Sequence, residues 1–461
     1  MALNSITDFE QLINIQKKYC IGCGICTTLH DLGLFMDDYG KYNINIDGIN
    51  SQVSTEVLKI CPFSSNTENE DQIGKSLFES DESHKSEQLG YYLKCYIGHV
   101  YNDEIRSNSS SGGIITWLLA ELLDNNLITH AVHVGKSKSL PILFEYVIST
   151  STKSIYAGSS SRYYPVELSK ILDYIKNTEG QYAIVALPCF AKGIRLLQKT
   201  DKTFQDRIKF IISPICGHLK TTNYAKFLTL QAGIDPQNLD SINFRKKIPG
   251  RLASQYGTEF QIRRGQEVYS KTIINAKYKM GTDWGHGMFK YPACDYCDDI
   301  VGEVADISVG DAWLAKYLTD YKGHSVLVLR NHQLNEIFIN GLKSNSIKLE
   351  VVDPELIVQS QAGGVRNKRD DLKYRLWLKE KRGEWFPLKR VSPSDNIDEK
   401  RKNVIHLRMH ISEYSHSLFL EALNLNNLNH FYKKMMPLLN RYYLVNFGLI
   451  KFIKNKIKNM L

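Results

Sequence analysis

Apolar and polar positions divide the chain into an irregular front, a strand–helix alternation and a helical end. "CYIGHVYN", from Cys95, reads as a strand. "SGGIITWLLAELLDNN", from Ser111, carries apolar residues at helical spacing, with Ser109–Ser111 placed to cap its start. "ITHAVHVG" and "FEYVIST" are further strands, and "PVELSKILDYIKN" is helical. "YAIVAL", 182–187, is an unbroken apolar run, the mark of a strand buried on both faces. "AKGIRLLQK" is then helical and "IKFIIS" a second buried strand. This alternation predicts an α/β sheet covered by helices. Downstream, "EFQIRRGQEVYSKTII" predicts a hairpin about Arg264 and Gly265, "ADISVGDAW" and "HSVLVLR" two more strands, and the chain beyond about 352 mostly helix. Segment 63–90 is rich in Ser, Glu and Asn, poor in apolar residues, and reads as a linker.

The 461 residues have room for several domains. Their 43% hydrophobic content is enough for a buried core, yet no apolar run reaches the ~18–20 residues of a membrane span. The N-terminal stretch lacks the pattern of a signal peptide, so a cytoplasmic location is expected. The formal charge of +9 is unevenly spread: from Ala422 onward there are seven Lys or Arg and no acidic residue. That tail mixes Lys with Tyr, Phe, Leu and Ile at helical spacing. The expected state is a helix packed on the body with a solvated basic face; peripheral contact with an anionic inner-membrane surface is the alternative. No recognition motif accompanies the charge, which argues against nucleic acid.

Nine cysteines in such a compartment are not a disulfide framework. Cys20, Cys23 and Cys26 form C-x2-C-x2-C, able to wrap three corners of one [4Fe-4S] cube, with Gly22 and Gly24 permitting tight turns. "KICPF" supplies a fourth thiolate at Cys61. A ferredoxin run would place its next Cys-Pro where His30 stands, so His30 marks a lost second site and is not expected to be a ligand. A zinc site on the same four cysteines is the alternative, although zinc sites usually pair two C-x2-C units. Cys189, Cys216, Cys294 and Cys297 are spread out. The first two follow buried strands, where α/β folds build their sites, and "ACDYCDD" closes the set. Spacing alone leaves this set suggestive, since isolated cysteines after strands are commonly core residues. Cys95 has no partner and is expected to be buried.

Two small-residue loops precede helices: "SNSSSGG", with Ser109, Ser110, Ser111, Gly112 and Gly113, and "AGSSSRYYP", with Gly158, Ser159, Ser161, Arg162 and Tyr163. Hydroxyls, backbone N–H groups and an arginine suit a pyrophosphate. On pattern alone, two Ser-capped helices explain them as well.

Taken in order, "SSSGG", "GSSSRYYPVEL", "LPCFAKGIRLL", "ICGHLKT", "NFRKKIPGR" and "ACDYCDDIVGEVADISVGDAWL" resemble the coenzyme F-420 hydrogenase and dehydrogenase beta subunit family, over roughly 20–380. "CPFS", "RYYPVELS", "WGHGMFKY" and "SQAGG" resemble a bacterial branch whose members accompany genes for cell-surface polysaccharide synthesis. The resemblance implies an α/β fold: a mixed-sheet flavin domain covered by helices, a small N-terminal ferredoxin-like segment and a helical C-terminal tail. The expected divisions are 1–66, ferredoxin-like; 67–90, polar linker; 91–355, FAD and [4Fe-4S] domain; 356–400, helical extension; and 401–461, basic tail. It also implies a second cluster on Cys189, Cys216, Cys294 and Cys297. The two serine loops become FAD contacts, joined by Asp311 and Trp313.

A flavin converts between the one-electron steps of clusters and two-electron chemistry. The expected activity is therefore an iron–sulfur flavoprotein oxidoreductase. It would exchange electrons between a reduced carrier, such as ferredoxin or a deazaflavin coenzyme, and a small or lipid-linked organic substrate. His218, His286 and Lys290 are the candidate catalytic side chains, with His324 a further proton donor. An electron-relay subunit without a substrate site, and a zinc-stabilised binding module, are the rival readings.

Overall fold

Tyr182–Val185 and Ile208–Pro214, apolar at most positions, pair in parallel near the middle of an eight-stranded sheet. The computed structural model describes residues 6–30, 32–274 and 280–450. The sheet comprises β1 (Lys94–Val100), β2 (His130–Lys136), β3 (Phe144–Ser149), β4 (Tyr182–Val185), β5 (Ile208–Pro214), β6 (Ile307–Asp311), β7 (Ser325–Leu329) and β8 (Ile347–Val351). Its order is β8-β1-β7-β6-β5-β4-β2-β3. The run β2-β4-β5-β6 is parallel, and the remaining pairs are antiparallel. The architecture is thus mixed α/β. The predicted hairpin is present as Gly257–Arg264 and Glu267–Ile274, within a separate three-stranded sheet.

The helices used below are α1 (Ile114–Asp124), α2 (Pro188–Thr200), α3 (Thr222–Gln231), α4 (Ala362–Lys368), α5 (Asp370–Lys381), α6 (Glu399–Asn424) and α7 (Leu428–Phe447). Strand side chains alternate between faces. Ala183, Phe210 and Leu327 pack with Trp117 and Leu118 of α1. Val132, Ile184 and Ile211 belong to a second core with Phe190, Ile194 and Leu197 of α2. Burial of each large aliphatic side chain contributes about 1.5–3 kcal/mol. The second core continues into Tyr19, Ile21, Ile25 and Phe63, so the N-terminal cysteine segment is built into the body.

Three expectations are corrected or narrowed. Segment 67–90 is not a bare linker. It holds a helix, Glu70–Phe78, started by an Asn69–Gln72 capping box, and a hairpin of His84–Ser86 with Gly90–Tyr92. Ile73 is buried, and some of the polarity that suggested solvent is buried too: Glu70 lies 3.4 Å from Lys192. Helix α1 is not capped by serine. Its N-cap is Gly113 at φ +85°, while Ser109 Oγ donates to Ile105 O and Ser111 Oγ to His324 O. In the tail, Phe431, Met435, Leu439 and Tyr442 of α7 are buried. The Phe431 ring lies 4.9 Å from that of Phe227 in α3, so this apolar face is covered within the fold. Residues 451–461 of the tail, part of the alternative membrane contact, lie outside the described residues. No helix among the described residues is long and apolar enough to cross a membrane.

Candidate redox site

Cys20, Cys23, Cys26 and Cys61 line one cavity, whose other walls are apolar side chains, Tyr19, Pro62 and two glycines. The loop can turn this tightly because Gly22 is left-handed, φ +62°, and presses so closely on Tyr42 that a Cβ would come within 2.4 Å of it. Cys61 ends the helix Ser51–Ile60, which delivers it from 35 residues beyond Cys26. His30 does not line this cavity; its Nε2 lies 2.7 Å from Glu56 Oε2.

Cys189, Cys216, Cys294 and Cys297 line a second cavity together with Lys368. The topology explains the meeting. Cys189 opens α2 just after β4, Cys216 follows β5, and the two strands are parallel neighbours, so both thiols leave the same sheet edge. A backbone bridge between Lys220 and Lys290 draws the later loop in, reinforced by Tyr291 N–H to Leu219 O at 3.0 Å. Cys294 sits in the turn Pro292–Tyr296 and Cys297 caps its end. Ile21 and Phe63 line both cavities, so the two thiol sets stand on opposite sides of one shared wall.

Burial pushes the thiols of Cys61 and Cys216 up to about 12 and that of Cys294 up to about 11. Thiols so placed become ligands only when a metal displaces their protons. Among the described residues, no group of three or more His, Cys, Asp or Glu side chains is arranged to hold a single metal ion. Each four-thiol set instead lines the wall of a cavity. Cys95 lies in β1, buried, as expected.

The two serine loops are brought together. Ser161 N–H donates to Ser110 Oγ at 2.7 Å, and the Ser110 and Ser160 hydroxyls are 3.2 Å apart. Ser160, which the sequence did not single out, has φ +99°, an uncommon strain for a serine, and bonds Asn243 Oδ1. Arg162 donates to Ser159 O and lies 4.9 Å over Phe144, leaving Nε buried without a hydrogen-bond partner. Gly158 packs on the His133 ring, and Gly112 on Gly98 O. Tyr163 meets Trp284 edge-on at 4.6 Å, and His218 lies 4.2 Å from the same indole. Asp311 takes two hydrogen bonds from Arg245, whose guanidinium is 5.2 Å from the Trp313 ring.

The candidate acids and bases occupy different settings. His218 Nε2 is buried with no hydrogen-bond partner, and burial first, then Lys220, holds the ring well below the usual histidine range. His286 is enclosed by Tyr442 and Tyr443 of α7, with Asp283 Oδ2 at 3.6 Å. Lys290 pairs with Asp295 at 2.5 Å. His324 lies 5.0 Å from His99. Sequence reasoning missed Lys220, which is buried, bonded to Met288 O, over Trp284 at 4.9 Å and pushed down to about 7 by burial. It also missed Lys368. The one signal for Lys220 was its place in "ICGHLKT"; Lys368 carried none.

Residues 95–173 match the model of the coenzyme F420 hydrogenase/dehydrogenase beta subunit N-terminal region, and residues 180–355 that of its C terminus. The chain belongs to this beta subunit family. Two family relatives show the reach of the likeness. The coenzyme F420 hydrogenase subunit beta of Methanothermobacter thermautotrophicus is 25% identical over 255 residues, 52% of this chain and 81% of that protein. The coenzyme F420-dependent sulfite reductase of Methanocaldococcus jannaschii is 21% identical over 338 residues, 70% of this chain and under half, 46%, of that protein. A chain of the F420-reducing [NiFe] hydrogenase complex from Methanosarcina barkeri shares the fold, with TM-score 0.50 and 16% identity, over 66% of this chain and 98% of that one. The family-matched residues contain both serine loops and all four core cysteines. Cys20, Cys23, Cys26, Cys61 and Lys368 fall outside them.

Proposed function

We propose that this chain is an iron–sulfur flavoprotein oxidoreductase. Cys20, Cys23, Cys26 and Cys61 would hold one [4Fe-4S] cluster, and Cys189, Cys216, Cys294 and Cys297 a second. FAD would lie against the paired serine loops and the Tyr163–Trp284–His218 surface. The observation that carries this reading is the wall of Ile21 and Phe63 shared by two four-thiol cavities. The donor sets fit soft iron–sulfur ligation, and the unpaired Arg162 Nε and His218 Nε2 fit a polar ligand beside the loops. When bound, clusters supply one-electron transfer and a flavin the change to two-electron chemistry.

The chain's own residues do the rest. Ile21, Phe63, Leu187 and Leu219 keep water from the core thiols. Ser110, Ser160 and Asn243 hold the loops in register. His218, held neutral by burial and Lys220, would offer its unpaired Nε2 beside Trp284 to a bound ligand, while Lys290 is engaged with Asp295 and His286 is enclosed. The proposed partners are a reduced one-electron carrier or a deazaflavin coenzyme, the latter suggested by the relatives' names, and an organic acceptor.

Anaerobic purification with iron, sulfide and flavin assays tests this reading. About eight irons and one flavin per chain are expected. A colourless zinc protein overturns it. Flavin reoxidised only by another protein would replace the oxidoreductase with a relay subunit.

A further inference from the structure

Lys368 is the one charged residue on the two thiol cavities among the described residues, and it stands on the core cavity. It is the last residue of α4, 2% exposed. Its Nζ donates to Cys297 Sγ at 3.1 Å and to Asp299 O at 2.8 Å, a thiol and a backbone carbonyl. The Asp299 carboxylate is turned away, accepting the N–H groups of Gly302 and Glu303. A buried ammonium is costly unless an anion faces it. Four thiolates around iron would provide that anion.

No charged side chain lines the N-terminal cavity, and the cations felt by its thiols, Lys192 at Cys61 and Lys41 at Cys20, lie outside the lining and are paired with Glu70 and Asp37. The sulfurs of this cavity meet backbone dipoles instead, as at Gly22 N–H to Cys20 Sγ, 3.4 Å. Both arrangements favour the reduced, more negative cluster, but a full charge acts over longer range than an N–H dipole, and strongly where water is excluded.

We propose that Lys368 sets the direction of electron flow. It raises the reduction potential of a cluster on Cys189, Cys216, Cys294 and Cys297 above that of a cluster on Cys20, Cys23, Cys26 and Cys61. An electron delivered by a one-electron carrier to the N-terminal site then runs inward across Ile21 and Phe63. The outer site is oxidised and the inner reduced by one electron, with no bond broken and no proton moved. Lys368 is a positioning residue acting on the cluster's charge, and the inference rests on the cluster assignment above.

The test is a potentiometric titration of the anaerobically prepared full chain, followed by electron paramagnetic resonance. Cys61→Ser, left with the core cluster alone, assigns the signals. In the unaltered chain the core midpoint is expected above the N-terminal one; the reverse order overturns the proposal. Lys368→Met is expected to lower the core midpoint by about 59 mV or more, a tenfold change in the one-electron equilibrium. The N-terminal midpoint should stay in place, and Lys368→Arg should keep the original value. An unmoved core midpoint in Lys368→Met also overturns it. If that variant fails to retain iron, Lys368→Gln and the order of midpoints in the unaltered chain decide. A full chain without iron would instead overturn the cluster assignment, and this inference with it.

Discussion

Arg390 grips the Glu303 carboxylate through two charge-assisted hydrogen bonds, Nη1 to Oε2 at 2.6 Å and Nη2 to Oε1 at 2.8 Å. Both side chains are almost wholly buried. The same guanidinium reaches Asp298 Oδ2 at 3.3 Å and Asp71 Oδ1 at 3.1 Å. It therefore rivets the Glu70–Phe78 helix and the segment after Cys297 to the chain at 390. Removing one partner of a buried ion pair strands the other. Arg390→Met is expected to lose about 3 kcal/mol in urea unfolding, softened by the Arg369–Glu303 pair at 2.8 Å. Arg390→Met combined with Glu303→Met should lose less than the single change. A single variant as stable as the original would mean that Lys192 beside Glu70, Lys389, 3.7 Å from Asp298 Oδ1, and Arg369 beside Glu303 hold these carboxylates unaided.

His30 and Cys61 make opposite predictions within one segment. His30 is paired with Glu56 and off the cavity, whereas Cys61 is on it. Cys61→Ser is expected to remove about four irons per chain, and His30→Ala none. Iron analysis of both variants checks this; iron loss in His30→Ala would make the histidine a ligand.

His416 predicts a pH dependence. Burial holds its imidazole down to about 4, from an ordinary value of 6.5, while its Nε2–H donates to Lys290 O at 3.0 Å. Between these values the unfolded chain binds the proton and the folded chain does not, so stability rises with pH there. The contribution is complete above pH 6.5, is lost as pH falls through about 4, and is on the order of 3 kcal/mol. His324, also held down to about 4 by burial, acts in the same sense. Thermal unfolding followed from pH 7 to pH 4 should fall more steeply for the original chain than for His416→Gln. Parallel curves would rule out the histidine as the source.

Much of the sheet was legible because short strands obey local rules. "YAIVAL" is apolar throughout and "IKFIIS" at most positions, and they lie near the sheet's middle, parallel and largely buried. The start of α1 was not legible. A serine before a helix and a left-handed glycine are both good starts, and only the packing of Gly112 on Gly98 O decides that the chain uses Gly113. The segment 67–90 misled for a related reason. Composition cannot tell a solvated glutamate from Glu70, which is buried beside Lys192 and Arg390.

By itself the sequence determined the α/β alternation and the three-thiol loop, because each depends on residues close along the chain, and it carried the family motifs in order; Cys61, 35 residues beyond Cys26, was legible only through its Cys-Pro. Only the tertiary structure decided that Cys189 and Cys216 share a sheet edge, and that Ile21 and Phe63 form one wall between two thiol sets. It alone brought Lys368 to Cys297 from 71 positions away. Such meetings depend on how the helices and loops pack on the sheet, and no local period along the chain encodes them.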